Sequence, residues 1–552
     1  MILGSASLQE CSGETAEAIG TEGWSRWIEV ALFICLAGVA VCAPLSTKGA
    51  VNAFRTATVI WLILICIGKR RVFRQPLVLP LFLFLLFSAI STVLSSEPLL
   101  SWGRMRTVTL LLIAVLVAQV IGSLRQLKIL VGLLLGACLI SILYIAWQYT
   151  FGIGIKPVYS GPASALLEQL GLQKDDIIQR VNGKPTRTPQ QLLGTLDQPA
   201  SDGGAQLLIA RGSPSKHLTI SVGQRQVLAH ALRQQGISLV RGHPLRAEGF
   251  LKHYFPYSEV LVLTGLLSWG LCLAGGSASV RLRIFLCVTF LAVTAAVALT
   301  LTRISLLSLL IGTLLIALMR TGRKNVILTM LGFILIVALG MHWVGKRRAL
   351  TLFDASDPGT EYRLLMWRDS FKFIRAHPFF GVGLDSVAGH WRRWDLEAYR
   401  RFELKSHFHS TPIQLAVECG LSTLATWLWL MGAYLIFLLQ LRAKLQKRNW
   451  FAQGVTSGVL GGFVAFMLIA LVQYNFGDAE AMVVFWLCMG LAFALHRIVE
   501  NTNDPERYST GLSPGGRHYE LDTSRSPSAR GMSTSSIAPG TLDIKAPLIP
   551  RW

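Results

Sequence analysis

Charge is scarce in this chain: of 552 residues only 15% are Asp, Glu, Lys or Arg. The mean hydropathy is +0.50, too apolar for a soluble protein of this length. Acidic residues are the scarcer kind, 30 against 52 Lys and Arg. Such a basic excess raises the question of nucleic acid, but in an apolar chain cations gather in cytoplasmic loops, and no nucleic-acid partner is expected. Cysteine is also sparse. Eight of the nine, all but Cys11, fall in or at the edge of apolar runs, and none form CxxC, so neither a disulfide framework nor a cysteine metal site is indicated. No H-E-x-x-H stands inside a run, which argues against a zinc intramembrane protease. The runs are nearly free of ionisable residues in mid-span, which argues against a transporter or flippase, whose path such residues would line.

What is there is a series of apolar runs of about 17–20 residues, each long enough to cross a bilayer as a helix. Twelve are expected, at 27–45, 51–67, 77–94, 105–122, 129–149, 257–275, 284–300, 304–320, 326–344, 412–440, 453–473 and 480–498. A break at Thr302-Arg303 divides what would otherwise be one overlong span. Cations follow the even-numbered spans: Lys69, Arg70, Arg71 and Arg74; Arg125 and Lys128; Arg281 and Arg283; Arg320, Arg323 and Lys324; Arg442, Lys444, Lys447 and Arg448. These spans therefore end in the cytoplasm, both termini lie inside, and residues 150–256 and 345–411 lie outside. Cys42-Ala43-Pro44 lacks a small-x-small cleavage pattern, so the first span is expected to be an anchor. Residues 499–552, rich in Ser, Pro, Gly and Thr, are expected to be a disordered cytoplasmic tail.

The insert at 150–256 breaks the membrane pattern. Residues 161–172 read as a turn and a short helix, Asp175–Val181 as a strand, and Asn182-Gly183 as a tight turn. Thr188-Pro189 reads as a helix cap with proline at the first helical position; strands follow at Gln206–Ala210 and His217–Val222. The run Leu170-Gly171-Leu172-Gln173-Lys174-Asp175-Asp176-Ile177-Ile178-Gln179-Arg180-Val181-Asn182-Gly183 resembles the core of a bacterial periplasmic PDZ domain, over about 151–224. Asp175 stands where that pattern has glycine. Such domains bind extended peptides by strand addition, so a peptide or protein ligand is one expectation and an inert spacer the other.

The outer segment 345–411 holds twelve Lys and Arg and eight Asp and Glu. A solvated loop can look like this; the positions say more. Arg303 stands where a span meets the outer surface, and Arg363 lies in an amphipathic stretch expected along the membrane. Each is either a snorkelling or ion-paired residue or a planar, two-pronged donor for phosphate. His377 opens the turn His377-Pro378-Phe379-Phe380-Gly381-Val382-Gly383. Lys405, His407 and His409 close the loop. A lone histidine at the start of a span is more often an interfacial hydrogen-bonding residue than a catalyst, but two of them beside an arginine-rich loop favour chemistry. Zinc is a competing reading with no nearby H-x-x-x-H or cysteine to support it.

His409-Ser410, nine residues, Gly420, two residues and Thr423 together resemble the signature of the O-antigen ligase family of membrane glycosyltransferases, which includes related polymerases. The H-P-x-x-G-x-G element at 377–383, Thr302-Arg303 and Arg363 agree with that family, as do twelve spans and cytoplasmic termini. The resemblance covers about 27–498, with the PDZ-like insert as its departure. It implies an all-α polytopic membrane protein, GT-C-like, in a bacterial inner membrane, with a small α+β insert and a periplasmic active site. It implies an inverting, metal-independent transfer without a cofactor, and no D-x-D motif stands ready for a metal-bound nucleotide sugar. The donor would be a glycan on undecaprenyl pyrophosphate and the acceptor a hydroxyl, most simply on lipid A-core. His409 would be the base, Arg303 and Arg363 the pyrophosphate ligands, and His407, Lys405 and His377 further candidates. Polymerisation of lipid-linked repeats and glycosylation of protein hydroxyls remain alternatives.

Overall fold

A computed structural model describes residues 27–503 except 68–76, 160–162, 174, 199–203, 211–215, 234–236, 275–277, 321–325, 328, 336–337, 339–357, 390–393, 403–406 and 446–448. Lys405, part of the ninth expected span and the expected tail from residue 504 on fall outside these residues, while 499–503, expected in the tail, continue the last helix to Asn503. The first half of the chain gives α1 (Trp27–Cys42), α2 (Thr47–Cys66), α3 (Val78–Val93), α4 (Pro98–Val108), α5 (Leu112–Val120) and α6 (Leu124–Phe151). A single 3-10 turn, Thr109–Leu111, joins α4 to α5.

The insert follows as β1 (Gly154–Tyr159), α7 (Ala163–Gln169), β2 (Ile177–Val181), β3 (Lys184–Pro185), α8 (Pro189–Asp197), β4 (Ala205–Ala210), β5 (Lys216–Ile220), α9 (Val222–Ala231) and β6 (Ile237–Gly242). Further spans are α10 (Tyr254–Cys272), α11 (Val280–Leu299) and α12 (Arg303–Arg320). The segment that follows holds α13 (Pro358–Ala376), α14 (Ser386–Gly389) and α15 (Glu397–Phe402); α16 (Thr411–Glu418), α17 (Gly420–Lys444), α18 (Trp450–Val472) and α19 (Ala479–Asn503) complete the described chain.

Among the described residues nine helical segments are long and apolar enough to cross a membrane, and α1 and α3 are shorter apolar helices. The chain is thus a multi-pass membrane protein. The break expected at Thr302-Arg303 is present: α11 ends at Leu299, Leu301 turns left-handed (φ 56°), and α12 starts at Arg303. The expected span 412–440 is instead two helices, α16 and α17, parted at Cys419-Gly420. Ionisable residues also sit within spans, among them Arg55 in α2, Arg104 in α4, and Glu259, fully buried in α10, with neither carboxylate oxygen hydrogen-bonded among the described residues.

The tightest helix pairing joins α10 to α18. Gly454, Gly458 and Gly462 recur every four residues along one face of α18, opposite Leu271, Leu267 and Leu263 of α10. A Cβ at Gly458 would stand 2.7 Å from the Leu267 Cα, and one at Gly454 2.8 Å from the Leu271 Cα. Lipid tails are as apolar as the helices, so close backbone approach through small residues drives such packing.

The insert is an antiparallel sheet in the order β5-β4-β2-β1-β6, with β3 paired to β2. Asn182 and Gly183 are both left-handed (φ 49° and 76°), as a two-residue hairpin requires. The Thr188 hydroxyl accepts the Gln191 N–H and caps α8. Asp175, at the position read as a departure from glycine, has φ 74°, the region glycine favours, and it pairs with Lys156. Three elements differ from the sequence reading. β1 was not anticipated; the strand expected to run to Val222 stops at Ile220, because Ser221 caps α9; and β6 extends the sheet to Gly242. β6 pairs with β1 along its whole length, from Gly154↔Gly242 to Tyr159↔Ile237. β1 is therefore an interior strand, and β5 and β6 form the edges of the sheet.

Candidate active site

The segment between α12 and α16 builds its own small core. Tyr362, Met366 and Phe373 line one face of α13 and are buried with Val382, Val387, Leu396, Tyr399, Phe408 and Val417. The spacing 362, 366, 373 is that of one helix stripe. Asp369, buried on the same helix, accepts the Ala398 N–H at 3.3 Å and pairs with Lys372 at 3.0 Å. The Trp367 indole donates to the Phe408 carbonyl at 2.8 Å, and the Phe408 N–H donates to Gln414 Oε1 at 2.7 Å. These bonds fix the His407-Phe408-His409 segment between α13 and α16.

Two motif elements read separately in the sequence form one joint. Gly381, Gly383 and Gly420 all have positive φ (67°, 103° and 79°). A Cβ at Gly420 would lie 2.2 Å from the Phe379 carbonyl oxygen, and one at Gly381 2.4 Å from the Glu418 backbone. The Leu421 N–H donates to the Pro378 carbonyl (2.7 Å), the Val382 N–H to that of Val417 (3.1 Å) and the Gly383 N–H to that of Glu418 (2.8 Å). The 377–383 turn thus wedges into the gap between α16 and α17, which is why the expected span is broken. Thr423 is buried and bonds the Cys419 carbonyl at 3.0 Å. The glycines and the threonine of the motif therefore have structural work.

The histidines divide their roles. His407 and His409 rings lie 4.3 Å apart. The His409 N–H donates to His407 Nδ1 at 3.1 Å and holds His409 in a left-handed turn of φ 50°, so His407 supports the backbone of its neighbour. His409 Nδ1 lies 3.3 Å from Gln473 Oε1, and its ring is edge-on to Tyr362 at 5.8 Å. Burial pushes the His409 imidazole down to about 4; the Gln473 bond opposes this and the charge of Arg363 adds to it. Burial and then the neighbouring His409 push His407 down to about 3. Both rings are therefore neutral at physiological pH, and a neutral imidazole accepts a proton.

Arg363, on α13 beside Tyr362, acts electrostatically on both imidazoles. Arg303 is exposed at the first residue of α12, next to the bonded hydroxyls of Thr300 and Thr302 (2.7 Å). His377 is exposed on the turn, its ring edge-on to Trp394 at 5.7 Å, outside the His407–His409 pair.

Several site residues escaped the sequence reading. Gln473, Tyr474 and Asp478 come from the connection between α18 and α19. Arg104 faces that connection, its Nη2 3.1 Å from where a Cβ of Gly477 would be. Its charge bears on Glu418 and Asp478, whose carboxyls burial raises to about 8 and about 7. The Arg104 charge opposes that rise. The Asp385 N–H donates to Glu418 Oε1 at 2.9 Å, tying the acid to the turn. His253, the N-cap of α10, bears electrostatically on His407 from the end of the insert. Each of these lies far from His409 in sequence, and no spacing marks them.

Comparison with known families places the loop and its flanking helices. Residues 288–428 match the family model described as O-antigen ligase. The match takes in Arg303, Arg363, His377, His407 and His409 and leaves out Arg104 and Gln473. A search of curated proteins gives no match. The match and the multi-pass helical architecture support a membrane glycosyltransferase of the ligase and polymerase class.

Proposed function

We propose that the protein transfers a glycan from undecaprenyl pyrophosphate to an acceptor hydroxyl on the periplasmic side of a bacterial inner membrane, as an O-antigen ligase acting on lipid A-core. The observation that carries the reading is His409, a half-buried neutral imidazole beside Arg363, within the segment that matches the O-antigen ligase family. In the reaction the acceptor oxygen attacks the anomeric carbon and its proton passes to His409. The bond from that carbon to the pyrophosphate oxygen breaks, and its electron pair leaves with the pyrophosphate. Attack opposite the leaving group inverts the anomeric centre. Arg363, with Arg303 from the mouth of α12, stabilises the charge that grows on the leaving group. This balance of atoms uses the chain's own residues and calls on no metal.

The isoprenoid chain would lie against the lipid-facing spans near the outer leaflet. Polymerisation of lipid-linked repeats and transfer to protein hydroxyls use the same step with a different acceptor. Profiling lipids and polysaccharides in a deletion strain, complemented with wild type or His409→Ala, separates them. A ligase leaves long glycans on the carrier lipid and a bare lipopolysaccharide core in the deletion and His409→Ala strains. Single repeats alone would identify a polymerase, and normal glycans would refute both.

A further inference from the structure

Gln473 lies 64 residues beyond His409 and outside the family match. It follows the last residue of α18 with an extended backbone (φ −147°, ψ 146°) and is 3% exposed. The Thr411 hydroxyl lies 3.1 Å from the Gln473 carbonyl oxygen and 2.8 Å from Asn475 Oδ1, while Asn475 Nδ2 donates to the Phe466 carbonyl at 3.1 Å. The residue is thus fastened to the start of α16, two residues past His409, and its amide is delivered to the imidazole.

We propose that Gln473 is the positioning residue of His409: its Oε1 accepts the Nδ1 proton, fixes that tautomer, and leaves the lone pair on Nε2 for the acceptor hydroxyl. This inference rests on the reading of His409 as the base. A neutral imidazole has one donor and one acceptor nitrogen, and the partner of one decides the role of the other. When His409 takes up a proton, Nδ1–H···Oε1 becomes a charge-assisted bond, which is shorter and stronger; the 3.3 Å separation leaves room for it to shorten. An amide carries no net charge, so it orients the ring without holding a proton on it at rest, as a carboxylate would. Among the described residues, the groups near the ring include His407 on the same segment and Tyr362 and Arg363 on α13, and Tyr474 lies against the His407 ring at 5.7 Å.

The test is the pH–rate profile of purified full-length protein in lipid vesicles, with a lipid-linked glycan donor, for wild type, Gln473→Glu, Gln473→Met and His409→Ala. With Gln473→Glu the acid limb moves upward by about one pH unit or more, as a carboxylate partner favours the imidazolium. Gln473→Met, close in size and at most a weak acceptor, lowers the turnover rate by about tenfold or more with the donor KM unchanged. Thermal melting of each variant identifies one that fails to fold; if Gln473→Glu does, Gln473→Met decides. Unchanged turnover in folded Gln473→Met, or an unmoved acid limb in folded Gln473→Glu, overturns the positioning role. If His409→Ala keeps full activity, the base reading itself falls, whatever the Gln473 variants do.

Discussion

Acid tolerance follows directly from the partial burial of the His409 imidazole. The perturbation is pH alone, applied to wild-type protein transferring glycan in vesicles. The imidazole ionises at about 4 instead of its ordinary 6.5. With that midpoint, roughly nine-tenths of the base is unprotonated at pH 5, whereas an ordinary imidazole would be about 3% unprotonated there. The two cases differ by about 30-fold in active enzyme at one easily reached pH. Because the base works unprotonated, activity is full at neutral pH and falls only as pH drops through the lowered value. The assay reads kcat/KM from pH 4 to pH 8, which reports the ionisation of the free enzyme. The account expects most of the neutral rate to survive at pH 5. Half-maximal activity near 6.5 would refute it and place the working histidine in water.

Three further outcomes follow from the site and the packing around it. Glu418→Gln keeps an acceptor for the Asp385 N–H but removes an acid raised from 4.5 to about 8. The wild-type acid stabilises the fold most when protonated and loses that contribution as pH rises through 8, so thermal melting should show the variant more stable than wild type at alkaline pH and less sensitive to pH between 4.5 and 8. Gly420→Ala forces a Cβ to 2.2 Å from the Phe379 carbonyl at a positive φ; melting should show a loss of at least about 1–3 kcal/mol, and transfer should fall because the 377–383 turn no longer seats between α16 and α17. Asp175→Gly relieves a left-handed backbone while losing an exposed ion pair, so its stability should stay within about 1 kcal/mol of wild type, whereas Asp175→Val should be clearly destabilising in the same melt.

How much of this was legible in the sequence depended on distance along the chain. Nine of the twelve expected spans coincide with helices long and apolar enough to cross a membrane among the described residues, two coincide with shorter apolar helices, and the left-handed turn at Leu301 stood where the overlong run had to divide. The His409 motif and the 377–383 turn were visible as patterns, because each is local. That they are one joint was not: the contact of Gly420 with Phe379 is a packing event, and the run 412–440 reads as an unbroken span until that contact is known. In the insert, Asn182-Gly183 and Thr188-Pro189 carried their own turn and cap chemistry. β1 was hidden by Pro157, which demotes a strand in sequence reading. It is tolerated because β1 pairs with β2 at Ile155↔Ile178, and Pro157 falls past the end of β2. Gln473, Arg104 and Asp478 reach the site only through folding, and an isolated glutamine or arginine at the end of a span carries no pattern. Glu259 is a single acid in an apolar run, and no spacing marks it.

The most direct test of the central claim is transfer by the purified protein. Wild type and His409→Ala are placed in vesicles with an undecaprenyl-pyrophosphate-linked glycan and a lipid A-core acceptor, and both glycosylated acceptor and released undecaprenyl pyrophosphate are quantified. The account predicts equal amounts of the two products with wild type, and a rate lower by about two orders of magnitude or more with His409→Ala while donor binding persists. Equal rates for the two proteins, or carrier release without glycosylated acceptor, would contradict it.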